Sequence, residues 1–191
     1  MEHRHFALYK PDGYLSQFVT NQTKRKNKKL LGELFDFPEE TMAIGRLDEP
    51  SEGLLLLTTD GQFSEYIRSS KVEKEYWVQV DGIITKESIK QLQEGVEITS
   101  ESGLYTTQPC KVEPIASEPN LPSRTKRIRD ERHGPTSWIS ITLTEGKYRQ
   151  VRKMTAAVGF PTLRLVRVRI GEIKIGKMQP GDVIELPTQF Y

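Results

Sequence analysis

Cysteine is almost absent: Cys110 is the only one in 191 residues. That excludes a disulfide framework and a thiolate metal site. Histidine is nearly as scarce, and His3, His5 and His133 form no ligand constellation with Cys110. No apolar run approaches the roughly 20 residues of a membrane-spanning helix. The N-terminus also lacks the apolar core of a signal peptide, so a reducing cytoplasm is the expected compartment, with no membrane partner. There is no surplus of charge of one sign, the formal net charge being +2. Total charge therefore announces no polyanion. Internal repeats, low-complexity segments and exposed heptads are missing too, which leaves a monomer as the expectation.

What is there fits an ordinary globular chain. Hydrophobic residues make up 36% and charged residues 28%, enough to bury one core or two small lobes sharing a cleft. The cations are unevenly placed. Lys24, Arg25, Lys26, Lys28 and Lys29 form one cluster, and Arg164, Arg167, Arg169, Lys174 and Lys177 another, broken by Glu172. Clusters of that kind on a balanced protein read as a polyanion footprint or as a solvated surface.

Local patterning alternates strands with short helices. Phe6 to Tyr9 reads as a strand ended by the turn Lys10-Pro11-Asp12-Gly13. Leu30, Leu31, Leu34 and Phe35 recur at helical spacing ahead of Pro38 and predict a short amphipathic helix. Asp60 is placed to cap a helix whose Phe63, Tyr66 and Ile67 share one face, expected to be core. Glu75 to Val80 alternates, with Tyr76, Val78 and Val80 on one side. Thr85 then caps a second helix stopped at Gly95, with Ile84 and Ile89 as its hydrophobic staple. Trp138 to Thr144 reads as a strand, Lys147 to Val158 as a helix, and Leu163 to Ile170 as a strand with Arg167 and Arg169 on its polar face. The order predicts an α+β architecture. Residues 113–137 stand apart as a proline-punctuated loop carrying Arg124, Lys126, Arg127, Arg129, Arg132 and His133, offset by Asp130 and Glu131. A loop of that length is functional or disordered.

The most informative stretch is residues 45–61, Gly-Arg-Leu-Asp-Glu-Pro-Ser-Glu-Gly-Leu-Leu-Leu-Leu-Thr-Thr-Asp-Gly. Leu54 to Leu57 is an apolar run of strand length bounded by Gly53 and Asp60-Gly61, as in a strand covered on both faces. The polar turn before it holds Asp48 beside the cation Arg46. Asp is a default turn residue, so Asp48 reads locally as a turn cap. It reads also as a carboxylate presented for catalysis at the mouth of a buried strand.

The Gly-Arg-Leu-Asp segment, with Ser-x-Gly-Leu-Leu-Leu-Leu-Thr-x-Asp-Gly after it, resembles the signature of the RsuA/RluA-type pseudouridine synthases. So do the early Lys-Pro-x-Gly turn, Lys74-Glu75-Tyr76, the Pro135-Thr136-Ser137-Trp138 entry to a strand and the run from Arg149 to Arg167. The resemblance spans roughly residues 6–186. It implies a single catalytic domain over 1–191, with a mostly antiparallel mixed sheet in two lobes around a basic cleft. It implies further that Asp48 is the indispensable catalytic residue, that Tyr76 sits against the target base and that Arg152 pairs with Asp48. Its substrate would be a uridine in 23S ribosomal RNA or a large-subunit precursor, isomerised without a cofactor or metal. No N-terminal S4 domain is expected, so the catalytic domain itself would bind RNA. Candidate RNA contacts are Arg46, Lys24, Arg25, Lys26, Arg127, Arg129, Arg149, Lys153, Arg164 and Arg167, with 113–137 as an RNA-contacting loop. Arg149 and Tyr9 depart from the residues most members have there, His and Asn, which bears on substrate preference. Two other activities remain open from the residues alone: an N-glycosidase pairing Asp48 with Glu49 or Glu52, and a non-catalytic RNA-binding factor.

Overall fold

The apolar run of residues 54–57 lies in a strand, Glu52–Thr58, whose seven residues are all buried. The computed structural model describes residues 2–20 and 27–188. Its elements are β1 (His5–Lys10), β2 (Met42–Ala43), β3 (Glu52–Thr58), α1 (Gly61–Arg68), β4 (Lys74–Asp81), α2 (Lys86–Glu94), β5 (Glu97–Ser100), β6 (Gly103–Thr106), β7 (Lys111–Ile115), β8 (Thr136–Leu143), α3 (Gln150–Ala157), β9 (Thr162–Ile170), β10 (Ile173–Lys174) and β11 (Val183–Leu186). Among the described residues one mixed sheet runs β11-β1-β3-β9-β4-β8-β7, with β2 added on β3 and β10 on β9, while β5 and β6 form a separate hairpin. Its pairings are antiparallel except for β3 with β9. This is the α+β mixed sheet expected.

Strand periodicity divides the core. Leu54 and Leu56 face one cluster with Ala7, Tyr9, Phe63 and Val166. Leu55 and Leu57 face another with Phe6, Leu8 and Leu31. Each such leucine contributes about 1.5–3 kcal/mol on burial. A third cluster covers the other half of the sheet, where Val78, Val80, Ile139 and Ile141 meet Ile89 and Leu92 of α2 and Val151 and Met154 of α3. The two expected lobes are thus the two halves of one sheet, and β9 contributes to both.

The halves meet at a narrow seam. β3 and β9 pair through only Glu52↔Val166 and Gly53↔Arg167. Gly53 has φ 104°, and a Cβ there would lie 2.3 Å from the Arg167 carbonyl oxygen. Only glycine permits that approach.

Several local expectations hold. Asp60 caps α1 by accepting from the Gln62 amide at 2.9 Å, and Thr85 caps α2 by accepting from Ser88 at 3.1 Å. Others change. Tyr66 is exposed, so the α1 core face narrows to Phe63 and Ile67. The helix expected from Leu30 to Phe35 is a single 3-10 turn, Leu31–Glu33. Leu31 is drawn into the core there, and a segment that short gains too few bonds to offset the cost of nucleating an α-helix. α3 begins at Gln150 instead of Lys147, because Arg149 adopts a left-handed conformation. The basic loop is shorter than expected, since β7 extends through Ile115 and β8 starts at Thr136. The described residues include no helix long and apolar enough to cross a membrane.

Candidate active site

Asp48 sits on the turn that enters β3, and that turn is fixed from below. Ser16 Oγ donates to the Leu47 carbonyl at 2.9 Å and accepts from the Leu47 amide at 3.0 Å. The Asp48 carbonyl accepts from the Ser51 amide at 2.9 Å, and the Glu49 carbonyl from the Gly13 amide at 2.8 Å. Beneath them lies Lys10, fully buried. Its Nζ donates to the carbonyls of Pro11 and Tyr14, both at 2.8 Å, and of Glu49 at 3.3 Å. Burial pulls the Lys10 pKa down to about 7, against the opposing pull of the Asp12, Glu52, Glu49 and Asp48 charges. One side chain thereby ties the β1 turn to the Asp48 turn.

The cations come from the far half of the chain. Arg149, just before α3, has φ 52° and makes no side-chain cap for its own helix. A non-glycine residue held in that region signals a constraint from its surroundings. Here the guanidinium reaches Asp48 instead, with Nη1 3.1 Å from Oδ2. The turn before it is locked by Glu145, which accepts from the Gln108 amide, from Gln150 Nε2 and from the Tyr105 hydroxyl. One turn further along α3, Arg152 Nε lies 3.4 Å from the same Asp48 oxygen. Its Nη2 donates to Ser51 Oγ at 2.8 Å. Burial presses the Arg152 guanidinium below its ordinary pKa, and Asp48 counters it. Tyr76 of β4 packs against both neighbouring core clusters and lines the same cleft, together with Arg46, Leu143 and Leu165. The Asp48 side chain keeps 23% of its surface exposed, against 14% for Arg152. The carboxylate can therefore meet a substrate while its arginine partner stays sheltered.

The structure brings Asp48, Tyr76, Arg152, Arg149 and Arg46 around one cleft. The other candidate cations are scattered. Arg127 is exposed on the basic loop, and Arg129 is paired with Asp81. Lys153 donates to the Thr99 carbonyl at 2.8 Å and lies over the exposed Tyr148 ring. Arg164 and Arg167 are internal, unlike the surface cations expected. Arg164 forms a two-point pair with Glu52 at 2.8 and 3.0 Å, and Arg167 Nε donates to the Leu54 carbonyl at 2.7 Å. β9 is a central strand covered on both faces, so its polar positions turn inward to the seam. Lys24, Arg25 and Lys26 lie outside the described residues. Glu49 is paired with Lys28 and Glu52 with Arg164, so neither is a free second carboxylate beside Asp48. Sequence reading missed the structural parts of Lys10, Ser16 and Ser51. The Lys-Pro-x-Gly turn was the signal available for Lys10; hydroxyls in turns carry none.

The basic loop is anchored rather than loose. Asp12 accepts from the amides of Thr125 and Lys126, each at 3.1 Å, and from Arg124 at 3.4 Å. Arg124 also lies 3.6 Å from Glu52, and the Pro122 carbonyl accepts from Arg164 at 2.7 Å. Burial pushes the Asp12 carboxyl up, but the Lys126 and Thr125 amides and the Arg124 charge outweigh it and hold the group below its ordinary value.

A carboxylate gripped by two arginines beside a tyrosine, on a mixed sheet of this topology, places the protein in a class. The family described as RNA pseudouridylate synthase matches residues 4–157, and the chain belongs to it. It is an isomerase of that family. Among curated relatives, ribosomal large subunit pseudouridine synthase E of Vibrio parahaemolyticus is 42% identical over 179 residues, covering 93% of this chain and 71% of the relative. The protein of the same name from Xanthomonas campestris is 42% identical over 177 residues, covering 92% and 91%. Among solved structures, one described as a pseudouridylate synthase superposes with a TM-score of 0.77 at 27% identity, covering 97% of this chain and 71% of that one.

Proposed function

We propose that this protein isomerises a uridine of 23S ribosomal RNA to pseudouridine, with Asp48 as the catalytic carboxylate. The observation that carries the reading is the Asp48–Arg149–Arg152 cluster in the cleft lined by Tyr76. The reaction breaks the N1–C1′ bond, turns the uracil and joins C5 to C1′. It has no redox change. Asp48 attacks C1′, removes a proton from C2′, or adds to uracil C6; all three need an ionised carboxylate aimed into the cleft. The two guanidiniums supply that charge balance and orientation. Tyr76 forms a wall against which the detached uracil turns, and Arg46, Arg149 and the loop cation Arg127 meet the backbone phosphates. The target base leaves its stack to reach Asp48, as unpaired or weakly paired uridines do at least cost. The enzyme works as a monomer in the cytoplasm, on free ribosomal RNA or on a large-subunit precursor.

The test is tritium release from 23S transcript labelled at uridine C5, for wild type and Asp48→Asn. C5 gives up its hydrogen only as the new C–C bond forms. Release by wild type and none above background by the variant is the expected result. No release from either protein, on free RNA and on precursor particles alike, would move the assignment to a binding factor that leaves RNA unmodified.

A further inference from the structure

A second concavity adjoins the catalytic cleft and shares Arg46 with it. It lies between residues 16–20, the edge strand β2 and Ser64 and Arg68 of α1, with a volume of about 820 Å³. That falls in the range of small-ligand sites. None of its twelve described lining residues is acidic. Two are arginines, Arg46 and Arg68, and neither makes an ion pair among the described residues. Arg68 is steadied by one bond, from Nε to the Ser64 carbonyl at 3.3 Å. Between the cations the wall is apolar: Met42 is 40% and Val19 74% exposed, beside half-buried Phe18.

Several other arginines of the described structure are paired with carboxylates: Arg164 with Glu52, Arg169 with Glu73 and Glu75, Arg129 with Asp81. Two arginines without carboxylates on an apolar wall make a different surface. Cations for phosphates, beside a surface on which a base can rest, are the two elements of single-stranded nucleic-acid binding. Position gives the register, since Arg46 stands two residues before Asp48. We infer that this groove holds the single-stranded RNA next to the target uridine, with backbone phosphates at Arg46 and Arg68 and a neighbouring base against Val19 and Met42. This rests on the RNA-modifying reading above and adds to it a subsite outside the catalytic cleft.

The test uses Arg68→Ala and Met42→Ser in the full chain, neither residue being part of the catalytic cluster. Binding of a single-stranded oligouridine is followed by fluorescence anisotropy over a range of salt. Arg68→Ala should bind roughly five- to tenfold more weakly at low salt, with the slope of log affinity against log salt shallower by about 0.7, one phosphate contact on a single strand. Met42→Ser should weaken binding several-fold with the slope unchanged, because it removes contact without charge. Tritium release at sub-saturating 23S transcript should fall for both in step with the lost affinity. Wild-type affinity and slope in both variants would overturn the groove assignment while leaving the synthase reading intact. A wild type that binds RNA but releases no tritium would overturn that reading, and the binding comparison would still decide the groove.

Discussion

Arg152 divides its guanidinium between the Asp48 carboxylate, 3.4 Å from Nε, and Ser51 Oγ, 2.8 Å from Nη2. A planar group with several donors spans both partners; the point charge of a lysine does not. Arg152→Lys should therefore lower single-turnover tritium release by about 10²-fold, in the range seen when a preorganised electrostatic contact is lost, with the circular dichroism spectrum unchanged. Release at the wild-type rate would show that Asp48 needs no such orienter. At this scale local pattern gave Asp48 a turn position and Tyr76 a strand position, while the roles expected of them and of Arg152 came from the family resemblance; the fold brings the three to one cleft. The sequence was illegible at Arg149, whose contact with Asp48 depends on a left-handed backbone no composition announces. Lys10 was hidden in the same way, since a lysine in a turn is ordinarily solvated and only the buried neighbourhood of Glu49 makes it internal.

Among the elements, the basic loop between β7 and β8 shows most clearly what pattern omits. Proline and charge marked residues 113–137 as a loop, but β7 runs through Pro114 to Ile115, a 3-10 turn forms at Glu131–His133 and β8 starts at Thr136. The loop's anchor is Asp12, over a hundred residues earlier in the chain, whose carboxylate accepts from two loop amides and Arg124. Because the folded Asp12 titrates below its ordinary value, its contribution is present above the ordinary carboxylate range and is lost as pH falls through the folded value. Asp12→Asn should cost on the order of 2 kcal/mol near neutrality, several hydrogen bonds to a charged acceptor being weakened at once. The gap from wild type in urea unfolding should close as the pH is lowered below about 4. Trypsin should also cut the variant faster near Arg127. A stability gap independent of pH would rule out the charged anchor. Strand and helix identities were far more legible, because alternation in β4 and β8 and the caps at Asp60 and Thr85 are local. The helix expected at Leu30 failed because tertiary burial of Leu31 decided that segment.

For the whole molecule, the question is which cations face outward. β9 reads in sequence as a half-exposed strand with arginines on its wet face, yet it lies in the middle of the sheet and spends Arg164 on Glu52. The two classes of arginine should separate in experiment. Arg127→Ala should leave the melting temperature unchanged and make the salt dependence of RNA binding shallower by about 0.7–0.9, one phosphate contact. Arg164→Ala should leave Glu52 buried with a weakened partner set and cost about 3–5 kcal/mol of stability. A reversal, with Arg164 governing salt dependence and Arg127 governing stability, would refute the placement of these side chains.

The seam between β3 and β9 also sets a timetable. Arg152 and Ser51 are 101 residues apart, and Glu52 and Arg164 are 112 apart, so the cluster exists only once long loops of the chain have closed. Such contacts form late, after local strands and helices have collapsed. A chain still leaving the ribosome carries Asp48 early and reaches Arg149 and Arg152 only about a hundred residues later. The Asp48–Arg149–Arg152 cluster therefore cannot assemble before α3 has been made, and its appearance marks the moment the two halves of the sheet join.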